Sequence, residues 1–149
     1  MVVAELYYQH ISKIGENEVW IPYEEIRRHP ADFRVKYRFY TEFEGGRKAT
    51  PFQGYRSDFS YDGDDISITG IFAIHPEFED DHGEIILDNT SPVPTEGTAR
   101  MWILFPHMRN EVHTKRVELG VIGYFMEGSR RVAVVEVIDI VGLHSNPHS

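Results

Sequence analysis

Short segments that alternate apolar and polar residues constrain the fold of this 149-residue chain more than any other feature. The segment 33–43 (FRVKYRFYTEF) places one set of side chains on one face: Val35, Tyr37, Phe39, Thr41 and Phe43. A period of two, with β-branched and aromatic residues, predicts a half-buried strand. The segment 65–74 (DISITGIFAI) repeats the pattern and is also predicted to be a strand, with one face made of Ile66, Ile68, Gly70, Phe72 and Ile74.

Four further segments read as strands, at residues 84–88, 99–105, 115–127 and 130–141. Turn-forming residues separate them, and the short link MEGSRR predicts a hairpin between the last two strands. The segment 130–141 is apolar on both faces, which is typical of a strand covered on both sides. Six or seven strands at this spacing predict an all-β barrel or sandwich.

The first 32 residues have a different pattern. Residues 3–15 predict a short helix that ends at Gly15, and residues 21–30 predict a second helix that ends before Pro30. Acidic residues at its start and basic residues at its end suit the helix dipole. We therefore interpret residues 1–32 as an N-terminal extension that either caps the barrel or serves as a docking arm.

Composition and charge exclude several classes of function. The chain has no cysteine, which excludes disulfides, thiolate metal sites and cysteine nucleophiles. It has neither an apolar run long enough to cross a bilayer nor a signal-peptide pattern, so we expect a cytoplasmic protein without membrane contact. The net charge is −9, and residues 61–96 hold ten acidic residues and no lysine or arginine, whereas residues 33–58 carry a local basic excess.

The segment 44–59 (EGGRKATPFQGYRSDF) carries a resemblance to a known family. Its order of Gly-Gly-Arg, Thr-Pro-Phe and Gly-Tyr-Arg resembles the start of the third domain of bacterial elongation factor Tu. The segments DISITGIF, SPVPTEGTARMWILFPHM and LGVIGYFMEGSRRVAVVEVIDIVG follow in the order of that family. The resemblance covers about 110 residues, from Phe33 to Gly142, and departs from the family at Ala49 and in the acidic segment PEFEDDHGE.

The resemblance implies a six-stranded antiparallel β-barrel at residues 33–142, followed by a flexible tail at 143–149. No phosphate-binding loop of a GTPase is present in the sequence, so the chain resembles the C-terminal barrel of the factor on its own. In the family this barrel contacts other domains, a nucleotide-exchange partner and the T-stem of aminoacyl-tRNA, and it carries out no chemistry. The chain is accordingly predicted not to be an enzyme and to need no cofactor or metal.

The predicted contact residues are few. Gly45 and Gly46 would permit a tight connection, while Phe52, Tyr55 and Phe59 would plug the barrel. Trp102 faces outward if Met101 and Ile103 fill the core, so either the N-terminal segment or a partner covers it. The candidate residues for binding a partner or RNA are Arg47, Lys48, Arg56, Trp102, Arg130 and Arg131.

The acidic run 75–84 (HPEFEDDHGE) is oxygen-rich, but its spacing matches no metal-binding motif. We expect it to be a solvated loop or a surface for a basic partner. The histidines outside this run are expected to be exposed or capping: His10, His29, His107, His113, His144 and His148.

Three hypotheses for the function follow from these patterns. The first is a binding module for another protein, related to translation factors and acting as a mimic or decoy of the elongation factor. The second is an RNA-binding accessory that uses the basic segment 34–56 together with Arg130 and Arg131, and the negative net charge counts against it. The third, a metal-dependent enzyme built on the acidic run, has the least support. No DNA contact is expected.

Overall fold

The computed structural model of the protein describes residues 19–149 and contains one antiparallel sheet. Its strands are β1 (Phe33–Phe39), β2 (Asp58–Tyr61), β3 (Ile74–Phe78), β4 (Glu96–Ile103), β5 (Ile122–Glu127) and β6 (Arg130–Ile140). The order across the sheet is β2-β5-β6-β1-β4-β3, and the sheet curls into a half-barrel. The predicted all-β class with six antiparallel strands is confirmed, as is the final hairpin of β5 and β6. The predicted helix that ends at Gly15 lies outside the described residues.

Short helices fill the connections. These are α1 (Tyr23–Arg27), α2 (Ile66–Thr69), and a continuous helical segment, called the capping helix below, at residues 106–116. The capping helix consists of α3 (Pro106–Met108), a π-helical turn (Arg109–His113) and α4 (Thr114–Arg116). None of the helices in residues 19–149 is long and apolar enough to cross a membrane.

One edge strand, β2, is bridged at a single residue to the chain that leads into the other edge strand, β3. Phe59 and Phe72 exchange two backbone hydrogen bonds of 2.8 Å. Beyond that bridge the side chain of Gln53 takes the place of a neighbouring strand, because its amide pairs with the backbone N–H and carbonyl of Phe78, both at 2.9 Å. The barrel is therefore closed by one bridge and one side chain, and a seam remains between the two edges.

Aromatic side chains form a large part of the core. Phe33, Val35, Tyr37 and Phe39 alternate into the interior along β1, as the period of two predicts. The ring of Tyr37 lies 5.2 Å from that of Phe78 and 5.4 Å from that of Phe39 in edge-to-face arrangements. Because most inward positions on the neighbouring strands are also apolar, the sheet buries one face along its whole width.

The prediction of a strand at 65–74 is wrong for all but its end, where Phe72 forms an isolated bridge and Ile74 begins β3. The Asp65 side chain accepts a hydrogen bond from the backbone N–H of Ser67, which caps α2, and Gly70 ends the helix at a φ of +72°. Ile68, predicted to be buried, is 82% exposed. A local cap thus outweighs the alternating pattern, and β3 begins only at Ile74.

Three other strand boundaries also differ from the prediction. β1 ends at Phe39, because residues 42–45 form a turn, and Phe43 therefore lies outside the strand. Residues 84–88 form isolated bridges rather than a strand, and the segment 115–121 begins inside the capping helix. In β6, Glu136 and Ile138 are exposed, so this strand is not covered on both faces.

A buried ion pair joins the start of β1 to the capping helix. Asp32, 0% exposed, accepts a hydrogen bond of 2.6 Å from Nε of Arg109, which is also buried. The same carboxylate accepts from the backbone N–H of Ile103 at 2.8 Å and from the side chain of Asn146 at 2.9 Å. The Asp32 side chain thereby joins four segments of the chain: its own, the end of β4, the capping helix and the C-terminal residues.

The C-terminal residues take part in this network. Leu143 is buried in the core and Asn146 is buried against Pro30, whose carbonyl accepts from the Asn146 side chain at 2.9 Å. The carbonyl of Pro147 accepts a hydrogen bond from Arg109. This part of the predicted flexible tail is therefore packed against the barrel.

Residues 20–31 cover the outer face of β4. The helix α1 has the predicted order of charges, with Glu24 and Glu25 in its first turn and Arg27 in its last. Trp20 and Tyr23 pack beside Trp102, with the rings of Tyr23 and Trp102 5.6 Å apart. The N-terminal extension thus caps the barrel over these residues.

The capping helix closes one end of the barrel through His113, which is 1% exposed, whereas the sequence predicted an exposed or capping histidine. Its Nδ1 forms a hydrogen bond of 2.7 Å with the hydroxyl of Tyr61, and its ring lies 5.0 Å from that of Phe72. Burial lowers the pKa of His113 to about 4, with Arg116 and Arg109 adding to the effect. The imidazole is therefore neutral at neutral pH.

We expect the substitution Arg109→Leu to lower the free energy of unfolding by about 3–5 kcal/mol, because it leaves the Asp32 carboxylate buried without its cation. The matched control Arg38→Leu breaks an exposed ion pair with Glu44 and should cost less than about 1 kcal/mol. Urea denaturation of both variants measures the two losses. Equal small losses would show that the buried pair does not stabilise the fold.

We also expect His113 to make the fold sensitive to acid. Its pKa in the folded state lies below 6.5, so its contribution is complete above pH 6.5 and is lost as the pH falls towards 4. A shift of this size corresponds to about 3 kcal/mol. In His113→Gln, urea denaturation should show a shallower loss of stability between pH 6.5 and 4 than in the wild type.

The matched control for this measurement is His107→Gln, which removes an exposed histidine from the same helix and leaves His113 in place. This variant should keep the wild-type dependence on pH. Identical slopes for the wild type and both variants would contradict the assignment of the acid sensitivity to His113.

Candidate anion-binding groove

The segment 40–50 forms a groove because of its two glycines. Gly45 adopts a φ of +94° in the turn 42–45, as a residue without a side chain can. Gly46 is needed for a different reason, since a Cβ there would lie 2.3 Å from the carbonyl oxygen of Tyr40. The chain therefore folds back tightly after β1 and presents Arg47 and Lys48 beside the β5–β6 hairpin.

Arg47 is held in place from two sides. Its Nη1 donates to the Glu127 carboxylate at 2.5 Å, and its Nε donates to the carbonyl of Ala49 at 3.1 Å. The guanidinium also lies 5.2 Å from the centre of the Tyr55 ring. About a third of the side chain is exposed, so Arg47 has a fixed geometry and a free edge for a ligand.

Glu127 binds the arginine side chains around it and fixes their positions. It accepts hydrogen bonds from Arg47, from the hydroxyl of Tyr55 and, at 2.9 Å, from Arg130. Burial would raise the pKa of Glu127, but the hydrogen bonds from Tyr55, Arg47 and Arg130 outweigh burial and lower it. Two arginines thus share the single negative charge of Glu127. One positive charge of the pair is not neutralised and is available to a ligand.

Two open depressions meet at these residues. The first, of about 590 Å³, is lined by Arg47, Lys48, Arg130 and the loop residues Glu42, Gly45, Gly46 and Ala49. The second, of about 360 Å³, runs from Arg47 and Lys48 along residues 39–42 to Thr50 and Thr95. We call the two together the basic groove. Its three cations face two carboxylates, Glu42 and Glu127, which leaves one formal positive charge.

Phe43 lies in the turn 42–45, of which Glu42 and Gly45 line the basic groove. It is fully exposed, at 101% of its reference surface. The sequence pattern placed it on the apolar face of a longer strand, which was wrong. The Gly-Gly pair at 45–46, two residues further on, is the signal that the strand ends earlier.

The predicted contact residues do not all lie together. Arg47, Lys48 and Arg130 line the basic groove. Arg131 lies on the Tyr124 ring, with its guanidinium carbon 3.9 Å from the ring centre. Arg56 lies elsewhere, close enough to Tyr23 to form a hydrogen bond that lowers the pKa of that phenol, although burial raises it overall.

Trp102 is not on the surface. It is 0% exposed, and Arg27 lies over its ring at 5.2 Å, so the alternative of cover by the N-terminal segment is the one observed. Its indole N–H donates to Glu77 at 3.0 Å, and the indole N–H of Trp20 donates to the same carboxylate at 2.6 Å. Burial raises the pKa of Glu77, whereas these hydrogen bonds oppose the rise.

The acidic run 75–84 is not a solvated loop over its first half. Its residues 75–78 belong to β3, and both Glu77 and Glu79 are buried. Glu79 accepts from Arg34 and Arg100, at distances of 2.7 and 2.9 Å. Within residues 19–149 no group of three acidic or histidine side chains is placed to hold a metal ion.

Carboxylates neutralise part of the basic segment 34–56. Arg34 pairs with Glu79, and Arg38 pairs with Glu44 at 3.0 Å. Lys36 stays exposed on β1, and Arg47 and Lys48 bring positive charge to the basic groove.

Comparison with known proteins gives no assignment, since no protein-family model matches the chain and no curated protein matches it at a significant level.

We expect Glu127→Gln to strengthen anion binding in the basic groove several-fold, because the amide keeps a hydrogen-bond acceptor for Arg47 and removes a negative charge. Fluorescence anisotropy with a labelled oligoglutamate peptide at low salt measures the change. Glu136→Gln, on the exposed face of β6, alters the net charge equally and is the matched control. Equal gains in the two variants would show that only net charge matters.

Proposed function

We propose that this protein is a non-catalytic binding module, whose basic groove and Phe43 bind an acidic segment of a protein partner. The observation that carries the proposal is the meeting of Arg47, Lys48 and Arg130 in one open groove, next to the turn 42–45 that bears the fully exposed Phe43. Exposed aromatic residues and arginines are the anchors that protein interfaces use most.

The arrangement of the cations suits a carboxylate ligand. Arg47 is already oriented by Glu127 and Tyr55, so little side-chain entropy is lost when it pairs with a second carboxylate. Lys48 is exposed and forms no ion pair with a described carboxylate, which leaves its ammonium available. Phe43 would add apolar contact beside these charges, so the partner segment combines acidic and apolar residues.

The proposed setting of this interaction is translation. The basic groove is built from the same segment, GGRKATPF, that resembles elongation factor Tu. We propose that the chain competes for a partner of that factor as a mimic or decoy, on the strength of this resemblance.

RNA is the second candidate ligand. It is favoured by the same three cations, which would contact phosphates. The net charge of −9 and the pairing of Arg34 and Arg38 with carboxylates favour the protein partner over RNA.

The test is affinity capture from a lysate of the source cells, with bound protein identified by mass spectrometry and bound RNA by sequencing. The groove variant combines Phe43→Ala, Lys48→Glu and Arg130→Gln. The control variant combines Ile68→Ala, Lys115→Glu and Arg28→Gln, which are also exposed and change charge equally. Anisotropy with labelled oligoglutamate and with labelled tRNA completes the test on purified protein.

We expect a protein that is captured by the wild type and the control variant and lost by the groove variant, together with groove-dependent binding of oligoglutamate. RNA lost by the groove variant, with log affinity falling by about 2–3 per decade of salt for three phosphate contacts, would favour the second candidate. Equal capture by all three forms would overturn both.

A further inference from the structure

A cavity of about 370 Å³ opens at the seam between the two edges of the barrel, in a part of the molecule that the basic groove does not use. Among the residues that line the cavity are Asp58, Phe72, Phe105, Met108 and His113. It forms because β2 and the chain leading into β3 are joined only by the Phe59–Phe72 bridge. Its volume lies at the lower end of the range for small-molecule sites.

The imidazole of His113 forms a rigid part of the cavity wall. One of its two ring nitrogens, Nε2, has no hydrogen-bond partner among the described residues. The ring is 1% exposed, and the Tyr61 hydroxyl holds it through Nδ1 at 2.7 Å. No described residue forms a hydrogen bond with Nε2, so this atom is what the side chain can offer to a ligand. Because a phenol can donate or accept, the bond to Tyr61 allows the tautomer in which Nε2 is an acceptor.

Asp58 supplies the charge of the cavity. It is half-buried on β2, and no described residue forms an ion pair or hydrogen bond with its carboxylate. Burial raises the pKa of Asp58, as expected for a carboxylate without a partner. A cation would relieve this cost, and His113, whose pKa is lowered to about 4 by burial, does not repel one at neutral pH.

Apart from His107, the remaining lining is apolar and aromatic. Phe72, Phe105 and Met108 line the same cavity as Asp58. Aromatic faces attract ammonium groups, and methionine adapts to alkyl chains. An anion would be repelled by Asp58 and would lose its hydration against this lining.

We propose that this cavity binds a primary ammonium group on an apolar chain, with the ammonium paired to Asp58 and hydrogen-bonded to His113 Nε2, and the chain packed on Phe72, Phe105 and Met108. The same chemistry has two sources, a free alkylamine and the side chain of a lysine on another protein. The site is independent of the basic groove and does not rest on the function proposed for it.

The test uses the full chain, labelled with ¹⁵N, and titration with hexylamine followed by NMR chemical shifts. Hexanol, which has the same chain without the charge, is the matched probe. We expect saturable shifts from hexylamine at the amides of Phe72, Phe105 and Met108, and at least tenfold weaker binding of hexanol. Equal binding of the two probes, or shifts at other sites only, would overturn the proposal.

The variant Asp58→Asn removes the charge with little change in shape, and Asp81→Asn is the control because it removes an exposed carboxylate elsewhere. We expect Asp58→Asn to weaken hexylamine binding at least tenfold and Asp81→Asn to leave it unchanged. Unchanged binding in Asp58→Asn would overturn the proposal even if the cavity takes up the chain.

A second titration distinguishes the sources of the ammonium group. Nα-acetyl-lysine methylamide carries the lysine side chain with its backbone blocked on both sides. Shifts at the same amides, lost in Asp58→Asn, would support a lysine of a protein partner. Binding of hexylamine without binding of the lysine compound would support a free amine.

Discussion

The structure depends most on the buried carboxylate of Asp32. This side chain binds Arg109 of the capping helix, the backbone of Ile103 at the end of β4, and Asn146 near the C-terminus. A buried charge is costly unless it is fully paired, so every partner has to be present before the site is favourable. The arrangement makes the closed end of the barrel a cooperative unit, in which the capping helix and the C-terminal residues are joined to the sheet.

The two candidate sites lie at the other end of β1 and at the seam of the barrel. The basic groove is formed by a tight loop after β1, and its cations are arranged by one surface carboxylate, Glu127. The amine-binding cavity lies beside the Phe59–Phe72 bridge, between β2, the chain that leads into β3 and the capping helix. A stable core that ends in incompletely paired edges is a common way for a small barrel to carry binding sites.

Ion pairs with carboxylates determine how much of the positive charge of this acidic chain is exposed to solvent. Glu79 binds two arginines inside the sheet, Glu44 binds Arg38, and Glu127 is shared by two arginines. Within residues 19–149, Glu127 is a place where two arginines share one carboxylate at an open surface. The basic groove therefore keeps a local positive charge in a chain whose overall net charge is −9.

Local periodicity and turn residues were enough to predict the all-β class, the inward face of β1, the final hairpin and the helix α1. The sequence also indicated Arg47, Lys48 and Arg130. The folded structure was needed to show that Trp102 is covered, that Glu77 and Glu79 are buried, that Arg56 lies away from the groove, and that His113 and Asp58 share a cavity. Each of these depends on which distant segment a side chain meets, and burial and pairing between distant segments leave no periodic signal in the sequence.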